Sequence, residues 1–492
     1  MTDLRQSWFK RKGLALFTDL YELTMIAAYL REGAADRKVC FEYFFRDLPP
    51  HSGFAVTAGL SCFLAYLENL RFEEEDIEYL RSQNIFEEEF LEYLQEFHPR
   101  CTVRAMPEGT LAFPNEPIVQ IEGPLFDAQL IETALLNFLN HQTLIATKAA
   151  RVCLAAEGDP VLEFGLRRAH GPDGGVSGSR AAHIGGCVAT SDVLAGKIFG
   201  IPISGTHAHS WVMSFETELE AFRRFAAIYP SRCILLVDTY DTLESGVPNA
   251  ITVFKEMRAA GHDVRPAIRL DSGDLAKLSK HAHRMMTEAG LEDPLIVASN
   301  DLDEDLIADL KRQGAKVNAW GVGTHLITSW DWPALGGVYK LVAMYNSEGW
   351  RARIKISSNM SKATDPGRTN VVRYYDANGA PLADVLYEMD EEWAEAANNG
   401  YVEGRRRNNP HLPARIRGAV RGEPLLKTVF EHGQRVTEVQ STATIREWAQ
   451  QQITDLPDEF TRLRNPEIYR VLLSPRIGDL KEELLESPEL AG

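Results

Sequence analysis

With 492 residues, 45% of them hydrophobic, the chain exceeds what one core fills, since single cores stop growing at roughly 250–300 residues; two or three domains are expected. A formal net charge of -18 excludes a protein that holds nucleic acid or an anionic membrane by its overall charge, so any phosphate-bearing ligand must be gripped by a local cluster of Arg, Lys and backbone N–H groups. Six cysteines without a CxxC pair are expected to be reduced and mostly buried, and Met1–Gly13 holds no apolar segment ahead of a cleavage site, so the cytoplasm is the expected location.

Leu16–Leu30 has apolar residues at mixed three and four spacing, which predicts an amphipathic helix capped by Thr18 or Asp19. From Val39 to about Gln120, short β-rich pieces surround an acidic helical stretch, Phe72–Phe97, and predict a small α+β domain over residues 1–124. A long helical run, Leu125–Ala156, leads into a repeated theme. Short apolar strands recur at Val161–Phe164, Ile201–Ser204, Cys233–Val237, Val264–Leu270, Leu295–Ala298, Val317–Val322 and Gly337–Val342, with helical sequence such as Glu216–Tyr229, Ala250–Ala260 and Leu275–Ala289 between them. Strands alternating with helices predict a parallel sheet with right-handed crossovers. The fold class expected is α/β, with an irregular or incomplete barrel over residues 125–346, because no GxGxxG follows an early strand. Residues 347–492 lose this regularity; they include a basic stretch, Arg405–Arg417, and end in helical segments at Thr444–Ile453 and Gly478–Glu486. They are read as a C-terminal extension that packs on the other domains or supports a dimer.

In a parallel barrel the C-terminal strand ends converge on one face, so residues far apart in sequence share a site there. Gly321-Val-Gly-Thr324 allows close backbone approach and supplies N–H groups and a hydroxyl, as a phosphate cradle needs; an ordinary tight turn uses the same glycines. Lys340 and the pair Arg167-Arg168 add the charge that favours the phosphate reading. Asp271 and Asp274 flank Ser272-Gly273, a setting for accepting sugar hydroxyls or holding a divalent cation through water, and Asp274 also suits a helix cap. His207 and His209 lie two apart, so an extended chain points only one of them into the site. With no third Cys or His close by, an imidazole acting as base or as nucleophile toward an ATP γ-phosphate outweighs zinc binding, and a structural role is the alternative for His207.

Seven ordered blocks closely resemble the nicotinate phosphoribosyltransferase family: Thr18–Met25, Gln142–Arg151, Glu163–Gly175, Leu194–Lys197, Gly205–Ser210, Leu270–Leu275 and Leu335–Val342. Leu426–Phe430 and Leu456–Phe460 extend the likeness over nearly the whole chain. The resemblance implies a type II phosphoribosyltransferase fold and a homodimer with sites at the subunit interface. The implied reaction joins nicotinate to phosphoribosyl pyrophosphate in NAD salvage, with Mg²⁺ as cofactor and ATP as co-substrate. By motif, His209 resembles the phosphorylated histidine, Thr206 and Arg269 the residues that bind the nicotinate carboxylate, and Tyr21 and Phe164 the ring-stacking pair, with Tyr21 donated across the dimer. Arg167, Asp271, Gly323, Thr324 and Lys340 are implied to serve the ribose and phosphates, Arg167 and Lys340 through the wider type II family; metal ligands stay unassigned. His207, Gly178 and Ala181-Ala-His183 depart from the commoner family residues, which leaves the role of His207 open. The rival expectations are a nicotinamide or quinolinate enzyme on the same barrel, a phosphate-binding module without turnover, and a flavin-binding barrel.

Overall fold

Alternation of short apolar strands with amphipathic helices dictates the architecture around the strand-end motifs. The computed structural model describes residues 14–356, 363–397 and 400–486, so Met1–Gly13 lies outside the described residues. The chain divides into two compact units, Lys148–Pro333 and the combination of Met1–Thr147 with Ala334–Gly492.

Within Lys148–Pro333, the described residues form a six-stranded sheet. Its order is Ala189–Thr190, Val161–Glu163, Ala319–Val322, Leu295–Ala298, Ala267–Leu270, Leu235–Leu236, with every neighbouring pair parallel. The strands are almost wholly buried, as expected of a parallel sheet whose crossover helices cover it. Helix Leu275–Glu288 shows how the sequence sets these covers: Asp274 caps it by accepting from the Lys277 N–H at 2.9 Å, and Leu275, Ala276, Ser279, Ala282 and Met286 make one buried stripe. The sheet does not close into a full barrel. Ala189–Thr190 carries only a single parallel bridge onward, from Thr190 to Ile203, and no ladder joins that segment to Leu235–Leu236. The incomplete α/β barrel expected from the sequence is therefore present, with three differences in its strands. Ile201–Ser204 supplies that one bridge rather than a strand; Ala189–Thr190, too short to read, takes its place. Gly337–Val342 leaves the parallel sheet altogether.

That segment belongs to the other unit, where strand Gly337–Asn346 runs antiparallel to Lys38–Phe45, from Val39 opposite Met344 to Phe45 opposite Gly337. An apolar run looks alike in either setting; long-range packing chooses the partner. Here Phe41 stacks on Tyr339 with centroids 4.7 Å apart, and Gly337 leaves room for Asn140, whose Oδ1 would lie 2.0 Å from a Cβ added at that position. The same unit carries a second sheet of six described strands around a core that includes Val372, Tyr374, Val385, Ile416 and Leu472. The basic stretch is the hairpin Tyr401–Arg406 and Asn409–Arg417 in that sheet. None of the six cysteines is paired in a disulfide, and all but Cys153 are buried. No described helix is long and apolar enough to cross a membrane.

Candidate active site

Strand ends in Lys148–Pro333 bring the polar motifs together. Arg269, the third residue of Ala267–Leu270, sends its guanidinium to three partners on three segments. Its Nε donates to Ser299 Oγ at 2.7 Å, Nη1 to Thr206 Oγ1 at 3.0 Å and Nη2 to Asp271 Oδ1 at 2.7 Å. Its Cζ stands 5.9 Å from the centroid of the Phe164 ring. Ser299 Oγ in turn donates to Asp271 Oδ1, so one hydroxyl fixes the angle between guanidinium and carboxylate. Burial alone would raise the Asp271 carboxyl; the Ser299 hydrogen bond and the Arg269 charge outweigh it and hold the group below the usual carboxylate range.

The turn after that strand is locked from the next one. Asp238 Oδ2 accepts from the Asp271 N–H and from Ser272 Oγ, both at 2.7 Å. One residue further, Thr239 Oγ1 lies 3.1 Å from His209 Nδ1, and the opposite ring nitrogen, Nε2, lies 3.8 Å from Asp271 Oδ2. His209 opens the short helix His209–Met213 and keeps its side chain 40% exposed, which leaves its ring accessible to a reactant.

Phe164 is set by glycine. Its N–H donates to Val322 O at 2.8 Å, and a Cβ on Gly321 would fall 2.6 Å from its ring, so a larger residue there would displace the ring. Gly323 is next to the same backbone: a Cβ there would be 3.3 Å from Phe164 O.

The structure thus gathers Thr206, Arg269, Asp271, His209 and Phe164, with Gly323 against the last. Arg167, on the turn Leu166–Arg168, and Thr324, which opens helix Thr324–Ile327, occupy the adjoining turns with no side-chain hydrogen bond to the cluster among the described residues. Tyr21 and Lys340 belong to the other unit. Tyr21 lies exposed on helix Leu20–Arg31, its phenol raised well above the ordinary range by burial of the hydroxyl and by Glu22. Lys340 donates to Tyr339 O at 2.8 Å, and burial lowers its ammonium.

Ser299, Asp238 and Thr239 carry no role in the sequence reading, although each stands just past one of its strands; their signal is a hydroxyl or carboxylate in the first positions past a strand. His207 is resolved as structural. Its Nε2 accepts from the Leu236 N–H at 3.3 Å, its ring meets Phe225 edge-on at 4.7 Å, and burial pushes it down to about 4, so it stays neutral. Among the described residues no three His, Cys, Asp or Glu side chains converge as a metal cage.

An incomplete α/β barrel with its polar residues assembled at the strand ends is the class that fold and site define. Its kinship follows from comparison with known proteins. Residues 16–140 match the nicotinate phosphoribosyltransferase N-terminal domain, 160–368 the nicotinate phosphoribosyltransferase family and 368–481 the C-terminal domain. The chain is 44% identical to the nicotinate phosphoribosyltransferase of Bacillus subtilis over 98% of this chain and 99% of that one. It is 35% identical to that of Homo sapiens over 95% and 96% respectively. The crystal structure of human nicotinic acid phosphoribosyltransferase superposes with a TM-score of 0.83 at 34% identity, covering 96% of this chain and 100% of that one. A nicotinate-nucleotide pyrophosphorylase from Pyrococcus furiosus gives 0.66 at 25% identity, over 92% and 97%. The chain belongs to the nicotinate phosphoribosyltransferase family.

Proposed function

We propose that the protein joins nicotinate to 5-phosphoribosyl 1-diphosphate, giving nicotinate mononucleotide and pyrophosphate for NAD salvage, with ATP hydrolysed through phosphorylation of His209. The observation that carries this reading is Arg269, held from three sides and set beside the Phe164 ring. A fixed guanidinium next to an aromatic face, with the Thr206 hydroxyl bonded beside it, is what a flat aromatic carboxylate requires. Nicotinamide offers no charge to that guanidinium, so the carboxylate is the handle that separates the two.

In the reaction, the pyridine nitrogen forms a bond to the anomeric carbon as the bond from that carbon to the diphosphate oxygen breaks, with oxocarbenium character between. Phe164, with Tyr21 of the partner subunit in a homodimer, holds the ring in line; Arg269 and Thr206 fix its rotation. Gly323 and Thr324 offer N–H groups and a hydroxyl to phosphate, Arg167 and Lys340 add positive charge, and Asp271 faces the ribose. A Mg²⁺ that is bound chiefly by diphosphate oxygens and water needs one or two protein carboxylates, and the partly exposed Asp271 fits that demand without a three-ligand cage. When bound, the ion neutralises charge on the leaving diphosphate. In the ATP step a ring nitrogen of His209 attacks the γ-phosphorus and ADP leaves; water later cleaves the phosphorus–nitrogen bond. Thr239 at Nδ1 steadies the ring for this.

The test is incubation with phosphoribosyl pyrophosphate, Mg²⁺ and ATP against nicotinate, nicotinamide and quinolinate in parallel, with ATP omitted from a matched set. Mononucleotide from nicotinate, enhanced by ATP, is expected. Turnover of quinolinate or nicotinamide in preference would overturn the substrate reading, and undiminished ATP coupling in His209→Ala would overturn the phosphohistidine.

A further inference from the structure

Glu163 is fully buried, with 0% of its surface exposed, and forms no ion pair among the described residues. Isolated carboxylates are costly to bury, and the cost is tolerated only where several donors converge. Three do. Oε1 accepts from the Gly165 N–H, while Oε2 accepts from Ser179 Oγ at 2.9 Å and Thr190 Oγ1 at 2.6 Å. Burial raises this carboxyl, and the three donors act against that rise.

Two of these donors, Gly165 and Thr190, belong to the segments that carry the two ends of the aromatic-acid site, and the third, Ser179, comes from helix Gly171–Ile184. Gly165 follows Phe164 in the turn that also holds Arg167, and it must be glycine, since a Cβ would lie 2.4 Å from Ile327 and 2.9 Å from Glu163 Oε1. Thr190 ends the two-residue strand Ala189–Thr190, whose carbonyl accepts from the Ser204 N–H at 3.0 Å and whose N–H donates to Pro202 O at 3.0 Å. Two residues beyond Ser204 lies Thr206, the hydroxyl on Arg269. Backbone pairing is thinnest here, a two-residue strand followed by one bridge, so little of the ladder sets where Thr206 falls relative to Phe164. The Glu163 carboxylate ties both together, and Thr190 Oγ1 extends the tie by accepting from the Asp192 N–H at 3.0 Å.

We infer that Glu163 is a positioning residue for the aromatic acid: its buried carboxylate sets the Phe164 turn against the strand segment leading to Thr206. The inference rests on nicotinate being the substrate. Glutamine can replace it in part, because the amide oxygen accepts from Gly165 while the amide nitrogen donates to a hydroxyl that turns to accept. Alanine cannot.

Steady-state kinetics with nicotinate, well below each variant's melting temperature, test this. Glu163→Ala is expected to raise the nicotinate KM about tenfold or more, with a smaller change in kcat, because misplacement of contact groups is felt first in binding. Glu163→Gln is expected to stay within about twofold of wild type, and Ser179→Ala, which removes a single donor, to raise KM by about two- to fivefold. Should Glu163→Ala fail to fold, Ser179→Ala and Thr190→Val carry the same expectation. Variants that melt earlier yet keep the wild-type KM overturn the positioning role, as does a Gln variant no better than Ala. If wild type consumes no nicotinate, the substrate reading falls and takes the inference with it; wild-type turnover with unaltered variants removes the inference alone.

Discussion

Two arginines, one in each unit, show how the same side chain is held for different ends. Arg373 is 3% exposed and bound chiefly by one carboxylate. Its Nε and Nη2 both meet Asp384, at 2.9 and 2.6 Å, a carbonyl from Leu111 takes a further bond at 2.8 Å, and Tyr469 closes the carboxylate from the other side. Phe113 and Tyr469, stacked at 3.7 Å, seal it. Arg269 has instead one small partner per nitrogen, two of them hydroxyls, and its only carboxylate stays 26% exposed. A charge bound to one opposite charge and walled off serves folding. A charge steadied by groups that can be exchanged for a ligand oxygen serves recognition, since hydroxyls fix its direction without spending its field.

The sharpest way to break this contrast is to remove each arginine and compare stability. Arg373→Met should cost about 3–5 kcal/mol in urea denaturation, because Asp384 is left buried without its counter-charge. Arg269→Met should cost far less by the same measurement, and equal losses would erase the distinction. Next in size is a pH effect in the barrel unit. His207 takes up a proton near 6.5 when unfolded but not until about 4 when folded. Its contribution is therefore complete above pH 6.5 and falls by about 3 kcal/mol as the pH is lowered through that window, levelling below it. Subtracting the pH profile of His207→Gln from that of wild type isolates it, and a flat difference would contradict the neutral, buried ring. Third, Arg269→Ala should weaken nicotinate binding by about 1.5–3 kcal/mol, read by calorimetry. Nicotinamide binding should change little in the same variant. Smallest is Thr239→Val, expected to slow phosphorylation of His209 by about 1 kcal/mol in activation, the scale of one hydrogen bond; rapid-quench measurement of acid-labile phosphate checks it.

Much of this site was legible because barrel physics places function at strand ends. Arg269-Leu-Asp271, Thr206 and Phe164 each follow or finish a short apolar run, which marks them as strand-end residues, while the roles of Thr206, Arg269 and Phe164 come from the family resemblance. The hydroxyl and carboxylate supports were not legible. Ser299, Thr239 and Asp238 act through directions of single bonds, and a serine past a strand looks the same whether it steadies an arginine or faces water. Gly337–Val342 failed for a related reason: its apolar pattern specifies burial but not which sheet buries it, and pairing with Lys38–Phe45 spans some three hundred residues. His207 escaped because periodicity says which residue faces inward but not whether it meets a substrate or the Leu236 N–H.

The unclosed sheet has a consequence for solubility. Open parallel edges invite other chains to add to them, and natural proteins shorten or cover such edges. Here each outer strand is two residues long, and the outward-facing amide of Leu236 is already occupied by an imidazole. The gap that leaves the barrel incomplete therefore offers a stray strand almost nothing to grip.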